Sequence, residues 1–384
     1  MHRRGFLRGT AVAGSIGVAG CLERLGFEEQ SAWSNPPLVE NRPDAVYLPA
    51  GSEEMKSYGR AGEGEYAVEL SYTLPHRFWL VAGDTEQVDV DANDSMHLML
   101  TVWDTETDTV LPVNTSLELL HDGESVDGQF TPWPMLSQRM GFHYGDNIQL
   151  PEEGTYTARI QVGPLTVDGR GGFETRFERA TTLEIEFEFE RSDIHDLEYD
   201  LIAEERRGSR DALPLMDHSD HGSHGDEHGD DHDHGGIASP ESFGELGHPP
   251  TSAGPPIDSL PGERLGTERS ADAELTALVS DVDRISDDNQ YLVVCKRTPY
   301  NDCILPLAAL SATISRDGTF VLENKPLRET IDHEFGHHYG LELDALEAGD
   351  EITIGVDSPP QVSRHDGYET AFFEFEEVTY SYEK

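Results

Sequence analysis

Three cysteines among 384 residues are too few to staple a fold of this size. No run past the N-terminus approaches the ~20 consecutive apolar residues a membrane-spanning helix requires, so the body of the chain is expected to be soluble. Basic residues are scarce: 27 Lys and Arg stand against 75 Asp and Glu, a formal net charge of −48. No basic stripe exists to neutralise phosphates, which excludes nucleic acid as a partner. The acids are spread through the whole chain rather than gathered in a tail. Such a surface repels itself at low ionic strength and is relieved when the Debye length shrinks to about 3 Å near 1 M salt. This composition points to a salt-adapted, halophilic cell.

What is present begins with an export signal. Arg3-Arg4-Gly5-Phe6-Leu7 is a twin-arginine pair followed by apolar residues, and the weakly apolar stretch Ala11 to Ala19 is too short to span a bilayer. It ends Val18-Ala19-Gly20-Cys21, small residues before a cysteine, as lipoprotein signals do. Residues 1–21 are therefore expected to be a signal that leaves a lipid on Cys21, anchoring the mature protein to the outer face of the cell membrane.

The organisation emerges when the chain is compared with itself. Gly141-Phe142-His143-Tyr144-Gly145 returns as Gly336-His337-His338-Tyr339-Gly340, a shift of 195. At the same shift Gly172-Phe173-Glu174-Thr175 meets Gly367-Tyr368-Glu369-Thr370, and Asp122-Gly123 meets Asp317-Gly318. Val110-Leu111-Pro112 meets Ile304-Leu305-Pro306 one residue short of it. Four blocks in one order indicate two copies of one domain, residues 36–190 and 271–384.

Both copies read as all-β. His97 to Trp103, Thr155 to Val162 and Thr182 to Phe189 are runs of branched and aromatic residues, the last in strict alternation with glutamates. The second copy offers Tyr291 to Cys295, Leu310 to Ile314, Glu351 to Val356 and Ala371 to Tyr382. Gly, Asp and Pro punctuate these runs at spacings that suit β-sandwiches.

Residues 205–270 read as a disordered linker. Asp217 to His234 contains no apolar residue, and residues 235–266 are rich in Pro, Gly and Ser, so neither can bury a core. His218, His221, His224, His228, His232 and His234 lie among carboxylates at gaps of two to four. Imidazole with carboxylate suits iron, copper, nickel or zinc, and a flexible tract can assemble several loose sites. A plain spacer would need no histidine.

Cys295 and Cys303 fall at the end of one expected strand and the start of the next. Facing positions in a hairpin would let them form a disulfide in an oxidising exterior.

The repeated Gly-x-His-Tyr-Gly block is the remaining chemical signal, expected in a turn at a sandwich rim. His143 follows Met140 by three residues. In Met96-His97-Leu98, Met96 shares a face with Leu98, Leu100 and Val102, while His97 looks the other way. Thioether with imidazole is a soft set that favours Cu(I), and Fe²⁺ less strongly. Hydrogen bonding of His143 and His338 to the turn is the structural alternative. His333-Glu334-x-x-His337 matches the zincin sequence His-Glu-x-x-His superficially, but that motif needs a helix, which Gly336 and the repeat argue against.

Ala45-Val46-Tyr47-Leu48-Pro49, the Met96 strand, His143-Tyr144-Gly145-Asp146-Asn147 and Leu150-Pro151-x-x-Gly154-Thr155-Tyr156 resemble the periplasmic ferrous-iron transport protein family over about residues 40–190. The resemblance implies immunoglobulin-like sandwiches, often lipoproteins, that bind copper through Met, His and Glu and serve iron uptake. Carried over, His143 matches the family's His and Met96 its Met, with Glu69 as the acidic ligand and His76 nearby. The family's His-x-Glu reads Ala67-Val68-Glu69 here. The second copy keeps His338, with His337 beside it, but has Gln290 where Met96 stands.

The sequence thus describes two immunoglobulin-like β-sandwiches joined by a disordered His/Asp-rich linker. The function expected is that of an extracytoplasmic, lipid-anchored protein capturing iron or copper, with zinc among the ions suited to the linker. Its partners would be the metal ion, the membrane and a permease that receives the ion; a homodimer is compatible with this reading. A metal-independent surface or adhesion lipoprotein is the rival, and a zinc protease a weaker one. No nucleophile–base pair marks an enzyme.

Overall fold

A sheet with one wet face must alternate, and the strand Thr181–Phe189 does so residue by residue. Leu183, Ile185, Phe187 and Phe189 are buried while the three intervening glutamates are exposed. In the computed structural model, which describes residues 36, 38–82, 84–216, 246–286 and 289–384, this strand edges the outer layer of a first sandwich. The order of that layer is Thr181–Phe189, Gly154–Leu165, Val113–His121, Glu124–Phe130. The facing layer begins Lys56–Glu63, Tyr66–Thr73, Met96–Asp104, Gly141–Ile148, Trp133–Ser137. Their inner faces share one core, in which Val68, Leu70, Leu100, Val102, Tyr156 and Ile160 are fully or almost fully buried. Each such aliphatic contributes about 1.5–3 kcal/mol. The export signal and the histidine tract lie outside the described residues.

The second sandwich repeats this plan. One layer runs Glu263–Ser270, Ala273–Ser280, Gln290–Arg297, Gly336–Leu343, and the other Ala309–Arg316, Glu351–Ser358, Val378–Ser381. The long strand Thr319–Asp332 belongs to both, pairing with Ala309–Arg316 at its start and with Gly336–Leu343 at its end. In the first sandwich the same path is cut in two, Glu124–Phe130 and Trp133–Ser137, on either side of Thr131-Pro132.

The repeated sequence blocks take matching conformations. Asp122 and Gly123 have φ of 52° and 78°, Asp317 and Gly318 50° and 74°, the pair of positive values a type I′ hairpin requires. The Tyr144 hydroxyl accepts from the Val113 N–H and donates to the Val113 carbonyl, both at 2.7 Å. Tyr339 donates likewise to the Leu305 carbonyl at 3.0 Å and accepts from the Ala308 N–H at 3.1 Å.

Two short exchanges join the sandwiches. Ser363–Arg364 pairs in parallel with Met135–Leu136 of the first sandwich. Asp168–Gly169 pairs in parallel with Thr330–Ile331 of the second. Each sandwich thus lays a segment against the sheet of the other, at positions related by the same shift of 195 that relates the sequence blocks.

Several expectations are corrected. Strand Glu263–Ser270 lies within the stretch read as linker, yet pairs along its length with Ala273–Ser280. Of Ala371 to Tyr382 only Val378–Ser381 is strand, because Phe372 turns the chain at φ 66° and its N–H is tied to the Ala271 carbonyl at 3.1 Å. Cys295 and Cys303 are free thiols. The bridge between Arg297 and Ile304 sets Cys303 beside Thr298, three residues past Cys295. An odd offset puts the two side chains on opposite faces, and they enter separate hydrophobic clusters.

Candidate metal centre

The strand Met96–Asp104 is buried at every residue, so its outward face is covered as well as its core face. Met96 points into the sandwich core, where its sulfur lies 3.5 Å from the Tyr58 hydroxyl. His97 points the other way, toward the exchanged segment of the second sandwich, as the alternation requires. Four histidines and a thioether meet there. His76 follows the strand Tyr66–Thr73, His97 lies in Met96–Asp104, Met135 in Trp133–Ser137 and His143 in Gly141–Ile148. His365, immediately after Ser363–Arg364, comes from the second sandwich.

Ligand nitrogens of His76, His97 and His365 all lie within 4.8 Å of one another, the one such group of histidines, cysteines or carboxylates among the described residues. His365 Nε2 is 3.3 Å from Met135 Sδ, and the His143 and His365 rings are 5.2 Å apart. Gly145 makes room for the group. A Cβ there would stand 2.7 Å from His97 Nε2 and 3.2 Å from Met135 Sδ.

The hydrogen bonds settle which nitrogen is available. His76 Nδ1–H donates to the Leu74 carbonyl at 3.0 Å, and His143 Nδ1–H to the Gly141 carbonyl at 3.0 Å. His97 Nδ1–H donates to Asn147 Oδ1 at 2.9 Å, and the Asn147 amide donates to the His76 carbonyl at 2.9 Å. Each of these bonds leaves Nε2 as a lone pair, which for His76 meets His365 Nδ1 at 2.9 Å. The Nε2 atoms of His97 and His143 are buried with no hydrogen-bond partner. Burial, aided by the neighbouring His76, holds His97 well below the usual imidazole range. Burial alone is the first cause for His143, pushed down to about 4, and for His365, held well below the usual range. Neutral, oriented imidazoles with orphaned nitrogens are what a late transition-metal ion accepts.

The structure brings together some of the sequence candidates and not others. His97 and His143 meet, and His143 lies within a strand rather than in a rim turn. Met96 is on the far face. Glu69 is bound to Arg60 and Ser57 at 3.0 and 2.9 Å, so its carboxylate is spent away from the histidines. Met140 lines the pocket that leads to His76 and His365. His337 is buried against Glu329 at 2.7 Å. Residues 333–335 form a turn before the strand Gly336–Leu343, so the zincin-like motif has no helix. His218, His221, His224, His228, His232, His234 and Cys21 lie outside the described residues. Sequence reasoning missed Met135 and His365, and set His76 only beside Glu69.

The corresponding position in the second sandwich is filled by protein. His338 Nδ1–H donates to the Gly336 carbonyl at 3.0 Å, as His143 does to Gly141, but His338 Nε2 faces the Tyr291 hydroxyl at 3.4 Å. Sheet register puts Tyr291 opposite Glu342, where His97 is opposite Asn147. Arg170 takes the place of His365. Its N–H donates to the Ile331 carbonyl at 2.9 Å, and its guanidinium lies over the Tyr291 ring and bonds Glu342 at 2.9 Å. A guanidinium and a phenol leave no place for a cation.

Fold and site together define a double β-sandwich protein with one buried histidine–thioether centre, completed across the two sandwiches. Residues 104–201 match the family described as Fe²⁺ transport protein. Residues 258–381 match a Domain of unknown function (DUF7350). Among solved structures the chain is similar to a copper-bound variant of FetP from uropathogenic Escherichia coli, with 18% identity, covering 35% of this chain and 97% of that one at a TM-score of 0.27. It is also similar to a copper-reconstituted protein from Campylobacter jejuni, with 15% identity, covering 35% and 96% at a TM-score of 0.29. No curated protein matches. No helix among the described residues is long and apolar enough to cross a membrane.

Proposed function

We propose that the chain is an extracytoplasmic carrier that captures a copper or iron ion at His76, His97, His143, His365 and Met135. The observation that carries this reading is the pair of orphaned, buried Nε2 atoms on His97 and His143, whose Nδ1 atoms are both tied to fixed acceptors. A buried polar atom without a partner costs about 1–3 kcal/mol, a cost an ion at the centre removes. The match of residues 104–201 to an Fe²⁺ transport family supports an uptake role. In this reading Cys21 carries the lipid, the histidine tract gathers ions near the membrane, and the centre passes its ion to a permease. The chain acts by binding and transfer, not catalysis. The test is metal content by mass spectrometry of protein lacking residues 217–234, purified without chelator, beside the same protein carrying His97→Ala and His143→Ala. About one ion per chain, lost in the double variant, supports the reading. Equal trace metal in both would make this a surface protein with no metal role.

A further inference from the structure

Beside the histidine centre is an open pocket of about 70 Å³ whose wall includes both His76 and His365. Met55, Met99, Met140 and Met216 also line it. The whole chain holds seven methionines, so more than half of them converge on one small cavity.

The fold places them there from four separate segments. Met99 is two residues beyond His97 on the same strand, and so shares its outward face. Met216 is brought beside Met140 because its N–H donates to the Arg139 carbonyl at 2.8 Å. Met55 is held near the end of Tyr66–Thr73, where the Thr73 hydroxyl donates to the Glu54 carbonyl at 2.7 Å. Met99, Met140 and Met216 are buried, although the cavity beside them is open to solvent.

The wall has little to offer a hard cation. Of its two carboxylates, Glu53 and Asp366, the second is bound by Arg77 at 3.0 Å. The Arg77 and Arg139 guanidiniums balance these two carboxylates, so the wall has no excess negative charge to draw a dication. Thioether sulfur is neutral and polarisable and prefers Cu(I) to Fe²⁺ or Zn²⁺. Met216 is also the residue before Asp217-His218, where the histidine tract begins.

We propose that this pocket is a thioether subsite for a soft monovalent cation, Cu(I), lying between solvent and the histidine centre. The proposal rests on the reading of that centre as a metal site. It adds that an ion meets sulfur first and imidazole second, so the pocket selects oxidation state before the centre fixes the ion.

The test is silver(I), a redox-inert stand-in for Cu(I), titrated into the full chain labelled with ¹³C at the methionine methyls. Signals are assigned by single Met→Leu variants, which keep volume. The first additions are expected to shift Met99, Met140 and Met216, with Met135 following and core-facing Met96 unmoved. In Met140→Leu/Met216→Leu, early movement of Met99 should be lost while Met135 still responds. Unperturbed Met96 and Met135 signals before titration report that the variant folds. Movement of Met135 alone would overturn the subsite and leave the histidine centre standing. No movement at any methionine, Met135 included, would overturn both. An unchanged Met99 response in the double variant would show that the sulfurs do not share an ion.

Discussion

His76 Nε2 lies 2.9 Å from His365 Nδ1, although 289 residues of chain separate them. The contact exists because Ser363–Arg364 pairs with Met135–Leu136 and delivers His365 to the first sandwich. His365→Ala should therefore weaken binding at a centre otherwise built from residues 76–143. In protein lacking residues 217–234, competition with a chromophoric chelator should show a loss of about tenfold or more. Unaltered affinity would restrict the centre to the first sandwich.

Two thioethers distinguish the sequence reading from the structural one. Met96→Leu should leave metal affinity unchanged and alter stability by less than about 1.5 kcal/mol, as a volume-conserving change in a core. Met135→Leu should weaken Cu(I) more than Fe²⁺, since it removes the sulfur 3.3 Å from His365. Titration of both variants with each ion checks the pair, and the reverse ranking would restore Met96 as the ligand.

The β architecture was legible because period-2 alternation is local: Leu183 to Phe189 declares its buried face without reference to any other strand. The opposed faces of Met96 and His97 were legible for the same reason. The choice between them was not, because a fully buried strand carries apolar and functional side chains alike and the residue pattern does not say which face meets a ligand. His365 left no sequence signal at all. Its partner at the shift of 195 is Arg170, so the repeat hid the asymmetry that makes His365 useful. The proposed Cys295–Cys303 bridge failed on register, where a single residue decides which face a side chain takes.

Acid should destabilise the protein partly through His338. Burial pushes this imidazole down to about 4, from an ordinary value of 6.5. Above pH 6.5 it is neutral in folded and unfolded chains alike, and stability is intact. As pH falls through the window the unfolded chain takes up the proton first, so stability drops, levelling below about 4 at a loss of up to about 3 kcal/mol. His338→Asn should show less loss over that window in chemical denaturation, with metal binding unaffected. An identical pH profile would assign the acid sensitivity elsewhere.

Cys295 and Cys303 are buried and unbonded, and burial raises both thiols. A thiol reagent should label neither in the folded protein and both on unfolding, since the reactive species is the thiolate. Reductant should leave the melting temperature unchanged. A lower melting temperature in reductant would mean a disulfide forms after all.

With 75 acids against 27 bases, stability should rise with ionic strength as repulsion is screened. Thermal melts between about 0.1 and 2 M salt, a range across which the Debye length falls severalfold, should show a steady increase. A melting temperature indifferent to salt would dissociate the composition from halophily.

The reciprocal exchange of Ser363–Arg364 and Asp168–Gly169 has a consequence for heredity. In a pair of identical subunits, one codon writes both symmetry-related positions, so a ligand cannot be lost on one side and kept on the other. Here each side has its own codons. His365 and Arg170, His97 and Tyr291, Met135 and Thr330 have parted ways: in the proposed reading one half is kept for an ion, while the other fills the same place with a guanidinium and a phenol.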